Sequence, residues 1–202
     1  MLRVGLTGGY ATGKSFVAAH LAALGCHVIY ADELGHKALE PDGEAYGPVL
    51  QLFGPEIQSA DGSIDRKKLG AIVFADPEKL AALTAIVHPA VYHLEQQLLG
   101  EAAVQDPQGI AVLEAAILIE TGRHALYDRL ILTTCDPETQ LRRAMARDGA
   151  TREQALARIS RQLPFHDKRA LASYVIDTSG TKDATVRQVK DVHQDLLAYA
   201  RH

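Results

Sequence analysis

An eight-residue stretch near the N-terminus constrains the fold of this chain more than any other part of it. Residues 8–15 read GGYATGKS and match the phosphate-binding pattern G-x-x-x-x-G-K-[ST], the P-loop. Its glycines let successive backbone N–H groups converge on one point, and the following helix adds free N–H groups and the positive end of its dipole. In such a loop Lys14 reaches the β- and γ-phosphates of a nucleotide, and the Ser15 hydroxyl can ligate Mg²⁺. The residues predicted to contact ATP here are Gly9, Ala11, Thr12, Gly13, Lys14, Ser15 and Phe16.

The surroundings of this motif favour a P-loop over a tight strand–helix turn that happens to carry a lysine. Residues 2–7 (LRVGLT) predict a strand, and residues 14–24 predict a helix stopped by Gly25. A GTPase would also carry a guanine-reading N/TKxD motif, which the sequence lacks. The length of 202 residues argues against a large ATP-driven machine. These features together favour a kinase.

Strand and helix signals alternate along the chain, which is the pattern of an α/β fold with a parallel sheet. Short apolar runs suit strands that are covered on both faces. The five predicted strands are residues 2–7, 27–30, 110–113, 130–133 and 174–176. We therefore predict an α/β P-loop NTPase fold, with a five-stranded parallel sheet flanked by helices.

About 70 residues of helical character separate the second predicted strand from the third, whereas a crossover needs only a dozen or more. The excess predicts an inserted helical lobe at residues 33–104, within a single domain whose core is 1–32 and 105–202. Proline pairs at Asp76-Pro77, His88-Pro89 and Asp136-Pro137 predict helix starts. Residues 151–154 (TREQ) fit a capping box.

Two carboxylates follow predicted strands at the sheet edge where ligands of α/β folds bind. Asp32 follows HVIYA, and it could accept the proton of an attacking hydroxyl or orient that hydroxyl. The equally weighted alternative is that Asp32 caps a helix beginning at Glu33. Glu114 follows IAVL and could hold Mg²⁺ through a water molecule.

A local reversal of charge follows the fourth predicted strand. Residues 142–169 contain eight arginines and lysines against three acids, in a chain with 25 acidic and 21 basic residues. Arg143 and Arg147 are four apart and so share a helix face. An arginine-bearing lid at about residues 143–170 would place positive charge over a transferring phosphoryl group. A solvated helix face is the alternative, and we expect only about two of these arginines to contact ATP.

The overall composition limits the kinds of partner that the chain is expected to bind. A formal charge of −4 offers no general attraction for nucleic acid, and no apolar run approaches the length of a membrane span. Cys26 and Cys135 stand apart in no CxxC pair, which favours reduced thiols. We expect a cytoplasmic protein with small-molecule substrates and no nucleic-acid or membrane partner, as a monomer or weak homo-oligomer.

With these residues in hand, the chain resembles the dephospho-coenzyme A kinases along nearly its whole length. LTGGYATGKS resembles that family's LTGGIGSGKS, and VIYAD resembles its VIDAD. The segments DGSIDRKKL and IVHP resemble the family's acceptor lobe, and residues 136–180 resemble its lid and final strand. The departures are Phe16 for threonine, Tyr30 for aspartate, Ala116 for proline and Thr178 for asparagine.

The resemblance implies that ATP and Mg²⁺ serve phosphorylation of the 3′-hydroxyl of dephospho-coenzyme A, the last step of coenzyme A synthesis. It implies that Asp32 is the catalytic aspartate and that Arg66 and His88 help to bind the acceptor. Lys14 and Arg143 would stabilise the developing charge, with Arg147 on ATP. Two alternatives stay open: a kinase for another small acceptor, such as a nucleoside or gluconate, and a non-catalytic nucleotide-dependent switch.

Overall fold

A computed structural model describes residues 1–201 of the chain. These residues form two compact units. The first unit contains Met1–Ile29 and residues 102–201, and the second unit is Tyr30–Glu101. The sequence-based boundaries of the acceptor lobe, 33 and 104, lie three residues from each of these limits.

A five-stranded sheet forms the centre of the fold. Its strands are β1 (Leu2–Gly8), β2 (His27–Tyr30), β3 (Ile110–Glu114), β4 (Arg129–Thr134) and β5 (Tyr174–Asp177). The order across the sheet is β2-β3-β1-β4-β5. β1 pairs in parallel with β3 and β4, and β4 pairs in parallel with β5. The predicted α/β fold and its five strands are confirmed, and four strands extend one residue further at their C-terminal ends than the sequence predicted.

Nine α-helices of the described residues connect or follow these strands along the chain. They are α1 (Lys14–Ala23), α2 (Ala31–Ala38), α3 (Tyr46–Phe53), α4 (Arg66–Phe74), α5 (Pro77–Gln105), α6 (Pro137–Asp148), α7 (Arg152–Ile159), α8 (Phe165–Arg169) and α9 (Lys182–Ala200). In the first unit, α1 contacts α9, β1 and β3, while α8 contacts β4. The strands supply the core of this unit, since β3 is buried along its entire length.

Local capping chemistry explains why several helices begin where they do. The Asp136 carboxylate accepts the Thr139 N–H at 2.8 Å, and Pro137 opens α6. Thr151 and Gln154 form the predicted capping box of α7. These starts were predicted correctly because each depends on residues within one helical turn.

The second unit is helical and has its own small core. Tyr46 donates a hydrogen bond to the Gly62 carbonyl at 2.5 Å, which ties α3 to the turn before α4. The Asp65 carboxylate caps α4 by accepting the N–H groups of Lys67 and Lys68. The buried side chains of this unit include Leu34, Val49, Ile57, Leu69, Val73 and Val91.

The predicted helix start at His88-Pro89 is wrong. α5 runs without a break from Pro77 to Gln105, with Pro89 inside it and His88 exposed on its surface. An internal proline removes one backbone hydrogen bond and crowds the preceding turn. The helix continues because Ala90 and Val91, directly after the proline, are buried, and this packing outweighs the local signal. Among the described residues, no helix is both long and apolar enough to cross a membrane.

Candidate active site in the P-loop and the lid

The backbone of the P-loop (residues 8–15) depends on glycines at defined places. β1 ends at Gly8 and α1 begins at Lys14, so the loop has the strand–loop–helix context that was predicted. A Cβ atom at Gly8 would overlap the hydroxyl and carbonyl oxygens of Thr133. Gly13, which precedes α1, has a φ of 84°, a left-handed value that favours glycine. Within residues 1–201, Ala11 is the one non-glycine residue with positive φ, at 59°.

Hydrogen bonds made by three buried threonines hold the P-loop in place. The Thr12 hydroxyl contacts the Gly9 carbonyl and the Thr133 hydroxyl, each at 2.8 Å. The Thr178 hydroxyl, after β5, donates to the Thr12 carbonyl at 3.0 Å. The loop is therefore hydrogen-bonded to the ends of two further strands. The role of Thr133 was not predicted, because its partner lies 121 residues away along the chain.

Lys14 lies across the P-loop. Its ammonium group donates to the carbonyl oxygens of Gly8 and Gly9 at 3.3 and 3.1 Å. Ser15 follows it in the first turn of α1 and is exposed, as a residue that ligates a nucleotide-bound cation must be. Phe16 is half-buried and its ring contacts His20 at 4.2 Å between centroids. The structure thus brings together all the P-loop residues predicted to contact ATP.

Two glutamines form hydrogen bonds with the backbone of Tyr10, at the apex of the loop. Gln162 accepts the Tyr10 N–H at 2.5 Å, and Gln140 donates to the Tyr10 carbonyl at 2.8 Å. Gln162 also donates to the Ala116 carbonyl, beyond β3, at 3.3 Å. Neither glutamine was predicted as part of the site. No local sequence signal identifies them, because glutamines at such spacings are ordinary surface residues.

The two predicted lid arginines share α6 but have different partners. Arg143 donates to the hydroxyl and carbonyl oxygens of Thr178, each at 2.8 Å. Arg147 is exposed, and its guanidinium carbon lies 5.6 Å from the centroid of the Tyr10 ring. Both arginines therefore contact residues that belong to the P-loop or bond to it. This arrangement does not match a fully solvated helix face.

Apolar packing also joins the lid to the loop. Leu141, Ala144 and Ala155 form a buried cluster between α6 and α7. Tyr10 and Ala11 of the P-loop pack against this cluster. The loop apex is consequently covered by α7 and by α6, the helix that carries Arg147.

Lys168 is buried beside the P-loop, with a relative exposure of 1%. Its Nζ lies 2.6 Å from Oε1 of Glu120, which also accepts the Leu163 N–H at 3.3 Å. Nζ and the second Glu120 oxygen make no hydrogen bond within the described chain, so the contact is an ion pair without directed hydrogen bonding. Lys168 lines a cavity of about 540 Å³ that also borders Gly9 and Thr12. The Glu120 carboxylate is thus held by Lys168 and by the Leu163 backbone.

Glu114 is the last residue of β3, and it is buried. It pairs in register with Leu6, two residues before the P-loop. Among residues 1–201, no group of three or more histidine, cysteine, aspartate or glutamate side chains could hold a metal by itself. Ser15 and Glu114 provide only oxygen ligands, which suits Mg²⁺ that arrives with nucleotide phosphates and keeps much of its water.

The predicted acceptor residues lie in the second unit, and all three are exposed. Asp32 is the second residue of α2, Arg66 is the first residue of α4, and His88 lies within α5. The alternative role of Asp32 as a helix cap is wrong, because α2 begins at Ala31 and its N-cap is Tyr30. The helix starts earlier than expected, since β2 passes directly into it.

A P-loop between β1 and α1, on a parallel sheet of order 2-3-1-4-5 flanked by helices, defines a P-loop kinase. The family model of dephospho-CoA kinase matches residues 2–183. The dephospho-CoA kinase of Geobacillus kaustophilus is 43% identical over 190 residues, which are 93% of each chain. This chain belongs to the dephospho-CoA kinase family.

Solved structures agree with this assignment. The structure of TT1252 from Thermus thermophilus is 35% identical, with a TM-score of 0.80 over 96% of this chain and 97% of that one. The dephospho-CoA kinase from Campylobacter jejuni is 25% identical, with a TM-score of 0.72 over 97% of each chain.

Proposed function

We propose that this kinase transfers the γ-phosphoryl group of ATP to the 3′-hydroxyl of dephospho-CoA, giving ADP and CoA. The observation that carries the proposal is family membership over residues 2–183, a span that includes the P-loop, the second unit and the lid. The reaction is the final step of CoA biosynthesis.

ATP would bind with its phosphates in the P-loop. The backbone N–H groups of residues 9–16 face the phosphates in such loops, and Lys14 would leave the Gly8 and Gly9 carbonyls to bridge the β- and γ-phosphates. The Ser15 hydroxyl and, through water, Glu114 would hold Mg²⁺. When bound, Mg²⁺ neutralises charge on the phosphate oxygens.

Asp32 would orient the acceptor hydroxyl and accept its proton. The residue lies two positions after β2, and the C-terminal ends of parallel strands form the ligand-binding edge of an open sheet. The exposed carboxylate in the first turn of α2 meets the requirement that a base be accessible to substrate. Arg66 and His88 would bind the anionic phosphates of the acceptor.

Arg143 and Arg147 would stabilise charge on the transferring group. The transition state of phosphoryl transfer is loose, so fixed positive charges contribute more than a strong base. Arg143 is already oriented by Thr178, while Arg147 is exposed above Tyr10 and can approach ATP. We further propose that the enzyme works in the cytoplasm, as a monomer or weak homo-oligomer without a nucleic-acid or membrane partner.

The decisive experiment is ADP release across a panel of acceptors with Mg²⁺ and ATP. Dephospho-CoA should give sustained turnover and a product with the mass of CoA. CoA itself is the matched control, because it is the same molecule with the 3′-hydroxyl already phosphorylated, and it should give none. Faster turnover with a nucleoside or gluconate would identify a different acceptor. Slow ATP hydrolysis with no phosphorylated product would instead support a nucleotide-dependent switch.

A further inference from the structure

Tyr10 of the P-loop contacts residues of the predicted lid through its hydroxyl group and through its ring. Its hydroxyl donates to the Asp148 carboxylate at the end of α6, and Arg158 of α7 donates to the same carboxylate. Arg158 also reaches the Tyr10 hydroxyl at 3.4 Å. The Tyr10 hydroxyl, the Asp148 carboxylate and the Arg158 guanidinium therefore contact one another, which joins the P-loop to both α6 and α7.

The ring of Tyr10 contributes separately from its hydroxyl. It packs against the apolar cluster formed by Leu141, Ala144 and Ala155. The guanidinium carbon of Arg147 lies 5.6 Å from the ring centroid, within the range of a cation–π interaction. An isoleucine, which the family motif LTGGIGSGKS has at this position, could pack against the cluster but could neither donate to Asp148 nor offer a π face to Arg147.

We propose that Tyr10 is a positioning residue that latches the lid (residues 143–170) to the P-loop and holds Arg147 beside the nucleotide site. The hydroxyl fixes α6 relative to α7 through Asp148 and Arg158, and the ring sets the direction of Arg147. Tyr10 itself need not touch the substrate. The proposal adds a positioning residue to the proposed function. Only the test by ATP binding rests on that function.

An ordered lid would raise the apparent affinity for ATP. If only a fraction of molecules hold the lid in the competent arrangement, the apparent Kd equals the intrinsic Kd divided by that fraction. Loss of the latch lowers this fraction and so raises Kd. Saturating ATP restores the ordered lid, so kcat should change much less than Kd or KM.

Two variants separate the contributions of hydroxyl and ring. Tyr10→Phe removes the hydroxyl alone, and Tyr10→Ile removes the π face as well. The matched control is Tyr199→Phe, because the Tyr199 ring also lies against an arginine, Arg129, at 3.6 Å. Tyr199 is near Leu2, at the opposite end of β1 from the P-loop.

The first measurement is limited trypsin digestion without nucleotide, which does not depend on the acceptor or on catalysis. The lid presents exposed arginines at Arg152, Arg158 and Arg161. Tyr10→Phe should increase the initial rate of cleavage in the lid about two- to tenfold, the range expected for one lost hydrogen bond. Tyr199→Phe should be cleaved at the wild-type rate. Equal cleavage rates in Tyr10→Phe and Tyr199→Phe would overturn the proposal.

The second measurement is calorimetric binding of a non-hydrolysable ATP analogue, together with kcat and KM. Tyr10→Phe should raise Kd by a smaller factor than it raises cleavage, because cleavage follows the open fraction of a mostly closed lid whereas Kd varies inversely with the closed fraction. Tyr10→Ile should raise Kd further. Asp148→Ala removes the acceptor of both the Tyr10 and the Arg158 bonds, so it should raise Kd at least as much as Tyr10→Phe, and the double variant should be no worse than Asp148→Ala alone. Tighter ATP binding in Tyr10→Phe, or additive effects in the double variant, would contradict the latch. A wild-type melting temperature would show that Tyr10→Phe still folds.

Discussion

Arg143 donates two hydrogen bonds to Thr178, one to its hydroxyl and one to its carbonyl oxygen, each 2.8 Å long. The same hydroxyl donates to the Thr12 carbonyl of the P-loop at 3.0 Å. The Arg143 guanidinium is thereby joined to the phosphate-binding backbone through a single buried side chain. Threonine replaces the family's asparagine here, and it still provides one group that bonds to both sides.

The first prediction concerns this connection. Arg143→Ala should lower kcat or raise the KM for ATP, because the charge and the two bonds are lost together. Arg143→Lys keeps the charge but cannot reproduce the planar, two-point contact, so it should recover only part of the activity. Arg142→Ala, at an exposed neighbouring arginine, is the control for steady-state kinetics. Wild-type kinetics in Arg143→Ala would remove this residue from the active site.

The second prediction tests the P-loop. Lys14→Ala should abolish most phosphoryl transfer, since no other group of the loop can place a positive charge between the β- and γ-phosphates. Its circular dichroism spectrum should stay native. Lys190→Ala, which removes an exposed lysine from α9, should keep full activity. Near-normal turnover by folded Lys14→Ala would contradict the role of this loop.

The third prediction separates the proposed base from a merely favourable charge at a helix start. Asp32→Asn should lower kcat about 10²- to 10⁴-fold, the usual contribution of general-base catalysis. The KM for dephospho-CoA should change much less, because asparagine keeps the size and one acceptor oxygen.

Glu33→Gln is the matched control for this substitution. Glu33 is the adjacent exposed carboxylate, in the same first turn of α2. Each substitution removes one negative charge from that turn and so has a similar effect on the helix dipole. If both variants kept normal turnover with unchanged melting temperatures, the base would have to be another residue.

The fourth prediction concerns the buried ion pair of Lys168 and Glu120. Lys168→Met should destabilise the protein by about 3–5 kcal/mol, because it leaves a carboxylate partly buried without its counter-charge. Adding Glu120→Leu should restore part of this loss, since two apolar side chains can replace a buried pair. Urea unfolding of the single and double variants measures the effect. A double variant less stable than Lys168→Met would show that apolar side chains cannot replace the ion pair at this position.

The fifth prediction concerns pH. Burial raises the pKa of Cys26 from an ordinary value of 9.0 to about 11. As pH rises from about 9 to about 11, the unfolded chain loses this proton while the folded protein keeps it, so stability falls across that window. Denaturant unfolding should show a smaller alkaline loss in Cys26→Ala than in the wild type. An identical pH dependence in both proteins would exclude a contribution from this thiol.

Sequence reasoning succeeded where a short stretch of chain decides the outcome. The apolar runs of the five strands, the P-loop glycines and the caps at Asp136 and Thr151 all act within a few residues. It failed at Pro89, where packing of neighbouring residues in α5 overrides the proline, and at Asp32, where the helix begins two residues earlier than predicted. Both errors concern boundaries between elements, which depend on the rest of the fold.

The contacts of the site were harder to predict than its residue types. Lys14, Arg143 and Arg147 were chosen for their chemistry, and the structure places all three at the P-loop or its direct neighbours. Gln162, by contrast, acts on Tyr10 across 152 residues of sequence. Such a contact follows from strand order and helix packing, neither of which one sequence specifies residue by residue.

Because β1 pairs with a strand on each side, the protein should not tolerate inserted residues within this strand. Leu6 is opposite Glu114 on one side and Ile131 on the other, so a single inserted codon in β1 would shift both registers and turn every following side chain to the other face. The P-loop would be displaced with them. The turn at Gly62 in the second unit has no such double constraint and joins an isolated bridge between Gln58 and Ile64. A library of one-codon insertions selected for growth should therefore be empty across residues 2–15 and populated around residue 62.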